Sequence, residues 1–208
     1  MHTRELGLMD FAAAHSLQER LAGDVYRGES PETLLLLEHP PVYTIGSGGD
    51  AGNVLDSAIE VRRINRGGDV TYHGPGQLVG YPIMDLSQRG RDLQRYLRFL
   101  EQVLIDTIAD FKVAAFPVAG KTGVWTGRGK IASIGVGVRR WVTMHGFAMN
   151  VVNDLIPFSM INPCGMANCP VTSLGAETGA RIPMEEVRSH LSARFQELMD
   201  IWLPLSTC

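Results

Sequence analysis

Arg66-Gly67-Gly68-Asp69-Val70-Thr71-Tyr72-His73-Gly74-Pro75-Gly76-Gln77-Leu78-Val79-Gly80-Tyr81 is the densest stretch of the chain. Five glycines and a proline fall among Arg, Thr, Tyr, His and Gln. Glycine permits positive φ and close approach of a backbone or a ligand. The segment therefore reads either as a pair of glycine-rich turns with a satisfied histidine or as a wall that a ligand lies against. It is not a dinucleotide turn, because its glycines do not fall as Gly-x-Gly-x-x-Gly. Residues 69–73 and 77–86, on either side of Gly74-Pro75-Gly76, carry the β-branched and aromatic content of strands.

Further strand signals lie outward from it. Residues 33–37 and 42–45 flank His39-Pro40-Pro41, and 59–64 precede the glycine pair. Residues 130–138 and 142–151 form a hairpin across Arg139, Arg140 and Trp141. Two helices are predicted from apolar residues at helical spacing. One follows Asp92, with Leu93, Tyr96, Leu97, Leu100, Val103, Leu104 and Ile108; the other follows Pro183, with Met184, Val187, Leu191, Phe195, Leu198 and Trp202. A third covers about residues 10–21. Strands in groups with helices between them predict an α+β fold: one domain over 1–208, its mixed or antiparallel sheet flanked by helices.

Composition narrows the function. The 208 residues are 45% hydrophobic and 20% charged, enough apolar content for a core. A formal charge of −3 argues against a general nucleic-acid binder. No run nears the roughly 20 apolar residues of a membrane span, and Glu5 and Asp10 interrupt any signal-peptide core, so a cytoplasmic protein is expected. Three cysteines, Cys164, Cys169 and Cys208, make no complete disulfide framework. They also lack the paired Cys/His spacing of a zinc site, so no metal is expected. Gly120-Lys121-Thr122 resembles the end of a phosphate loop, but Ala115 stands where its first glycine belongs. Residues 61–140 hold thirteen basic and six acidic side chains, which predicts a cationic rim that includes Arg128, Arg139 and Arg140.

The Arg66 stretch resembles the signature of the octanoyltransferases of lipoate synthesis, the lipoate-protein ligase B family. That signature is Arg-Gly-Gly, two variable residues, Thr, an aromatic, His, two variable residues, Gly-Gln, then an aliphatic residue and Tyr two apart. Three further segments match in order: residues 36–46 around Glu38-His39-Pro40-Pro41, Gly129-Lys130-Ile131-Ala132-Ser133-Ile134-Gly135 with His145-Gly146-Phe147-Ala148-Met149-Asn150, and Asn162-Pro163-Cys164-Gly165. The resemblance covers about residues 5–200 and implies the fold of biotin and lipoate protein ligases.

It also implies a reaction: octanoyl transfer from acyl carrier protein to a lysine of a lipoyl domain, with no cofactor. The implied acceptors are the lipoyl domains of 2-oxoacid dehydrogenase complexes and the glycine cleavage H protein. The implied nucleophile is Cys164, which would carry the acyl thioester, with Lys130 as its acid/base partner. By residue type alone, Lys130 reads first as a strand-end lysine with a snorkelling head, and only the resemblance raises it to a catalytic candidate. By the same resemblance the acyl slot is lined by Arg66, Gly67, Gly68, Asp69, Val70, Thr71, Tyr72 and His73, by Ser133, Ile134 and Gly135, and by Gly146, Phe147 and Ala148. Two other readings compete. An ATP-dependent ligase of the same fold needs no thiol nucleophile, and a non-catalytic binder of lipoyl or carrier domains needs neither Cys164 nor Lys130.

Overall fold

The computed structural model describes residues 1–205; Cys208, the last of the three cysteines, lies outside them. The strands are β1 (His2–Leu8), β2 (Thr33–Glu38), β3 (Val42–Ile45), β4 (Val61–Arg63), β5 (Thr71–His73), β6 (Gln77–Ile83), β7 (Phe116–Val118), β8 (Lys121–Trp125), β9 (Lys130–Arg139) and β10 (Val142–Asn150). The helices are α1 (Phe11–Arg27), α2 (Leu93–Asp110), α3 (Leu174–Thr178) and α4 (Met184–Trp202). Seven strands form one sheet in the order β1-β2-β6-β10-β9-β8-β7, and β4-β3-β5 form a second. Within the large sheet β1 runs parallel to β2 and every other pairing is antiparallel. The fold is α+β with a mixed sheet and flanking helices, as the sequence predicts.

β2 explains the run Leu34-Leu35-Leu36-Leu37. Successive strand residues face opposite sides, and both sides are covered. Leu34 and Leu36 pack with Tyr96, Phe99 and Phe195 of α2 and α4. Leu35 and Leu37 pack with Leu17, Leu21 and Val25 of α1. All four leucines are fully buried. The helix termini are set by side chains and glycine. Asp10 caps α1 by accepting N–H bonds from Ala12 and Ala13 at 2.8 and 3.2 Å. Gly28, at φ +73°, closes its other end in the left-handed conformation. Asp92 accepts the Arg95 N–H at 2.9 Å at the start of α2.

Two features, β1 and the cationic rim, depart from the sequence reading, while its rejection of Gly120-Lys121-Thr122 as a phosphate loop agrees with the structure. β1 has no sequence signal, since its side chains are nearly all exposed and carry no apolar alternation. Gly120 sits in the turn joining β7 to β8, at φ +76°, so Gly120-Lys121-Thr122 is a hairpin element and not a phosphate loop. The cationic rim is dispersed. Lys130 and Arg139 are the two ends of the ten-residue β9, about 30 Å apart at strand rise. Arg140 stacks on Tyr26 of α1, and Arg89 is buried in a pair with Glu32 at 2.6 Å.

Candidate active site

A cavity of about 460 Å³, its mouth included, lies between segment 64–73 and the middle of β9 and β10. Glycines let these layers touch. The Gly67 N–H donates to the Val136 carbonyl at 2.8 Å. A Cβ on Gly135 would come within 2.9 Å of the Gly67 carbonyl oxygen, and one on Gly137 within 2.5 Å of that of Asn65. A Cβ on Gly146 would likewise fall 2.4 Å from the Gly80 carbonyl oxygen of β6. The segment thus crosses the sheet at backbone distance and leaves a slot beside the crossing.

Most residues that the sequence assigns to the slot line this cavity: Arg66, Gly68, Asp69, Thr71 and His73 from the crossing segment, and Ser133, Ile134, Gly135, Gly146, Phe147 and Ala148 from the sheet. Three do not. Gly67 contributes its backbone bond to β9, while Val70 and Tyr72 belong to a satellite core with Ile45, Phe158 and Ile161. The cause is strand alternation, which sends residues 71 and 73 to one face and 70 and 72 to the other. Phe11, Ile64, Tyr81 and His145 also line the cavity. Sequence reasoning misses Phe11 and Ile64 and holds Tyr81 and His145 only as motif residues, because a wall gathered from separate elements leaves no local pattern.

Cys164 stands at this cavity on the turn Pro163–Gly165, in a left-handed conformation at φ 57°. A non-glycine residue there is strained and is held by its surroundings. Its N–H donates to the Val70 carbonyl at 3.1 Å. The Asn162 N–H donates to the Asn53 carbonyl at 2.7 Å, and the Asn53 amide donates to Asp69 Oδ2 at 2.7 Å. The N–H groups of Gly165 and Met166 are also taken, by the carbonyls of Asn162 and Pro163. The turn is therefore pinned, and its amides are already spent on protein partners rather than left for a developing oxyanion.

Lys130 Nζ lies 2.8 Å from Cys164 Sγ. Lys130 is 2% exposed, and its backbone is bonded to residues 170 and 172, which ties the start of β9 to the segment following the cysteine. Arg66 is a second buried cation near the thiol. Its guanidinium donates to the Gly67 and Thr44 carbonyls and the Thr44 hydroxyl at 2.9–3.0 Å. Burial lowers its pKa, and the facing Cys164, Tyr81 and Asp69 partly offset that. Two basic side chains thus face the partly open Cys164 sulfur. Burial pushes the Cys169 thiol up.

The remaining wall is a chain of histidines in defined tautomers. Gln77 Nε2 donates to the Tyr72 carbonyl and to Asn150 Oδ1, so its Oε1 accepts from His73 Nδ1 at 2.8 Å. His73 Nε2 is thereby left unprotonated. His39 Nδ1 donates to the Met9 carbonyl at 2.7 Å, so its Nε2 accepts from the Tyr81 hydroxyl at 2.8 Å. Burial, with His39 and Arg66 nearby, holds His73 down to about 3. Burial, with His15 and Arg66, does the same to His145. Below about pH 6.5 the unfolded chain takes up protons on these two rings that the folded chain refuses until about pH 3. Unfolding free energy is therefore expected to decrease as the pH is lowered through that window, by up to about 1.4 kcal/mol per pH unit per histidine. Urea unfolding from about pH 7 to about pH 4.5 reads this, and His145→Gln should flatten the slope; equal slopes would contradict the assignment.

Among the described residues no cluster of three or more His, Cys, Asp or Glu side chains could hold a metal ion, and no helix is long and apolar enough to cross a membrane. The architecture is that of solved lipoate and biotin ligases. A lipoate-protein ligase A bound with ATP superposes with a TM-score of 0.74 over 96% of this chain and 86% of that one, at 20% identity. The biotin protein ligase from Aquifex aeolicus in complex with biotin and ATP gives 0.62 over 97% and 72%, at 15% identity. The family model for the lipoyl protein ligase A/B catalytic domain matches residues 10–196, and the chain belongs to that family. The octanoyltransferase of Geotalea uraniireducens is 68% identical over 205 residues, covering 99% of this chain and 96% of the relative. That of Geobacter sulfurreducens is 61% identical over 200 residues, covering 96% and 85%. Within the family the chain belongs with the octanoyltransferases of lipoate synthesis and is an acyltransferase.

Proposed function

We propose that the chain moves an octanoyl group from the thioester of acyl carrier protein to a lysine of a lipoyl domain, through an acyl thioester on Cys164. The observation that carries this reading is Lys130 Nζ at 2.8 Å from Cys164 Sγ, beside a mostly nonpolar cavity. The thiolate attacks the donor carbonyl carbon, the carbon–sulfur bond to the carrier breaks, and the leaving thiolate takes a proton from the Lys130 ammonium. The acceptor amine then attacks the Cys164 thioester, gives its proton to the now neutral Lys130, and expels the Cys164 thiolate. Both groups return to their starting state.

The first exchange, thioester for thioester, is nearly balanced. The second forms an amide, which is more stable than a thioester, and it drives the sequence without a nucleotide. Seven buried methylene and methyl groups supply about 5 kcal/mol of gross binding in the slot. Gly68, Asp69, Ser133, Gly135 and Gly146 border it with backbone and small side chains, and Ile134 and Phe147 supply apolar surface. The acceptors on this reading are the lipoyl domains of 2-oxoacid dehydrogenase complexes and the glycine cleavage H protein, and the setting is the cytoplasm.

The test is mass spectrometry of the protein mixed with octanoyl carrier protein and no acceptor. An octanoyl group on the Cys164 peptide, discharged by added lipoyl domain without ATP, is expected. Transfer that requires ATP, with Cys164 unmodified, would favour a ligase. Stable complexes with neither adduct nor transfer would favour a binding protein.

A further inference from the structure

Among the described residues, the one polar side chain that Lys130 Nζ meets is the Cys164 sulfur, and the lysine is buried. Its other neighbour is an indole: Nζ lies 5.0 Å from the ring centroid of Trp125, which is itself 8% exposed. The nearby carboxylates are engaged elsewhere. Glu101 of α2 pairs with Arg98 and accepts the Gly123 N–H. Glu177 of α3 accepts the hydroxyls of Thr126 and Thr172, and Asp69 accepts from Asn53 and the Val70 amide. The other groups of this region are Arg66, Cys169 and Lys121.

The placement of the indole is built into the sheet. Trp125 and Lys130 are cross-strand partners on β8 and β9, while the preceding pair is Val124 with Ala132. One step on β8 thus answers two on β9, which is a β-bulge with Ile131 as the extra residue. Bulges re-aim side chains and recur beside active sites. The turn between the strands is fixed by the Thr126 N–H donating to the Gly129 carbonyl at 2.9 Å and by Arg128 donating to the Ala176 carbonyl at 2.8 Å. Gly123 completes the arrangement: at φ +132°, a Cβ there would sit 2.9 Å from Lys130 Cε.

We propose that Trp125 is a positioning residue for transfer, its indole face holding Lys130 as an ammonium against the Cys164 sulfur. This rests on the transferase reading of that pair. A desolvated ammonium with no carboxylate gains most from an aromatic face, and indole is the strongest of the three. Without the face, the neutral amine and neutral thiol are favoured over the ion pair, and the nucleophile is scarcer at neutral pH.

The test follows iodoacetamide alkylation of the Cys164 peptide by mass spectrometry as a function of pH, together with steady-state transfer. Trp125→Leu is expected to slow alkylation near pH 7 by roughly tenfold, displace its pH profile upward, and lower kcat with little change in KM. Trp125→Phe should fall between the two. Biosynthetic replacement by mono-, di- and trifluorotryptophan weakens the face at constant shape, and each added fluorine should slow alkylation further. The fluorinated series also covers the case in which Trp125→Leu does not fold. Profiles that coincide for all these forms while Lys130→Met is displaced would overturn the role of Trp125 and leave the pair intact. A Lys130→Met profile that also coincides would instead overturn the pair, and this inference with it.

Discussion

Cys164→Ser is expected to keep the fold and to lose at least about a thousandfold in octanoyl transfer. The substitution changes one atom on a turn pinned through Val70, Asn53 and Asp69, so melting should barely move. The chemistry changes far more. A serine hydroxyl stays protonated next to Lys130, where a thiol can give up its proton, and an oxyester formed on that hydroxyl would not exchange readily with thioesters. Transfer measured with octanoyl carrier protein and a lipoyl domain, beside a thermal melt, separates these effects. Retention of more than about a tenth of the activity, with a normal melt, would remove Cys164 from the mechanism.

Lys130→Met is expected to divide activity and stability in opposite directions. Methionine keeps the unbranched stem out to Cε, the atom that Gly123 makes room for, and removes only the charged head. Removing a buried cation that has no carboxylate partner among the described residues should leave melting unchanged or raise it, because the cost of desolvating the charge disappears. Transfer should nevertheless fall by about a hundredfold to ten-thousandfold, the usual weight of general acid/base catalysis. The loss belongs in kcat, since Lys130 is not among the residues lining the slot. A variant that lost stability and activity in parallel would mark Lys130 as structural. The pairing of a firmer fold with a slower reaction is the signature of a residue retained for chemistry.

Much of this is legible in the residues. The helical spacing in α2 and α4 marks their buried faces, and Asp92 marks the start of α2. The hairpin across Arg139-Arg140-Trp141 is present as read, although its turn uses no glycine: Arg140 and Trp141 both take positive φ, at 52° and 66°. The crossing glycines are visible as composition, but their purpose depends on which backbone passes each one, as Val136 meets Gly67 and Asn65 meets Gly137. Three kinds of feature have no sequence signal. β1 buries almost nothing, so hydrophobic periodicity is silent there. The far wall of the slot gathers Phe11 and the motif residues Tyr81 and His145 from three elements. The facing of Trp125 and Lys130 depends on a bulge, and a single displaced residue leaves no mark in spacing.

β1 has a significance that its own contacts do not suggest. Its side chains add little to either core, yet it hydrogen-bonds along the open side of β2. Without it, Leu34-Leu35-Leu36-Leu37 would become the rim of the sheet, a flat row of β-competent leucines offering unpaired amides to any other chain. The least hydrophobic strand of the large sheet thus acts as a sheath for the most hydrophobic one. Its value is measured less in the folding of one molecule than in the fibres and aggregates that many molecules fail to form.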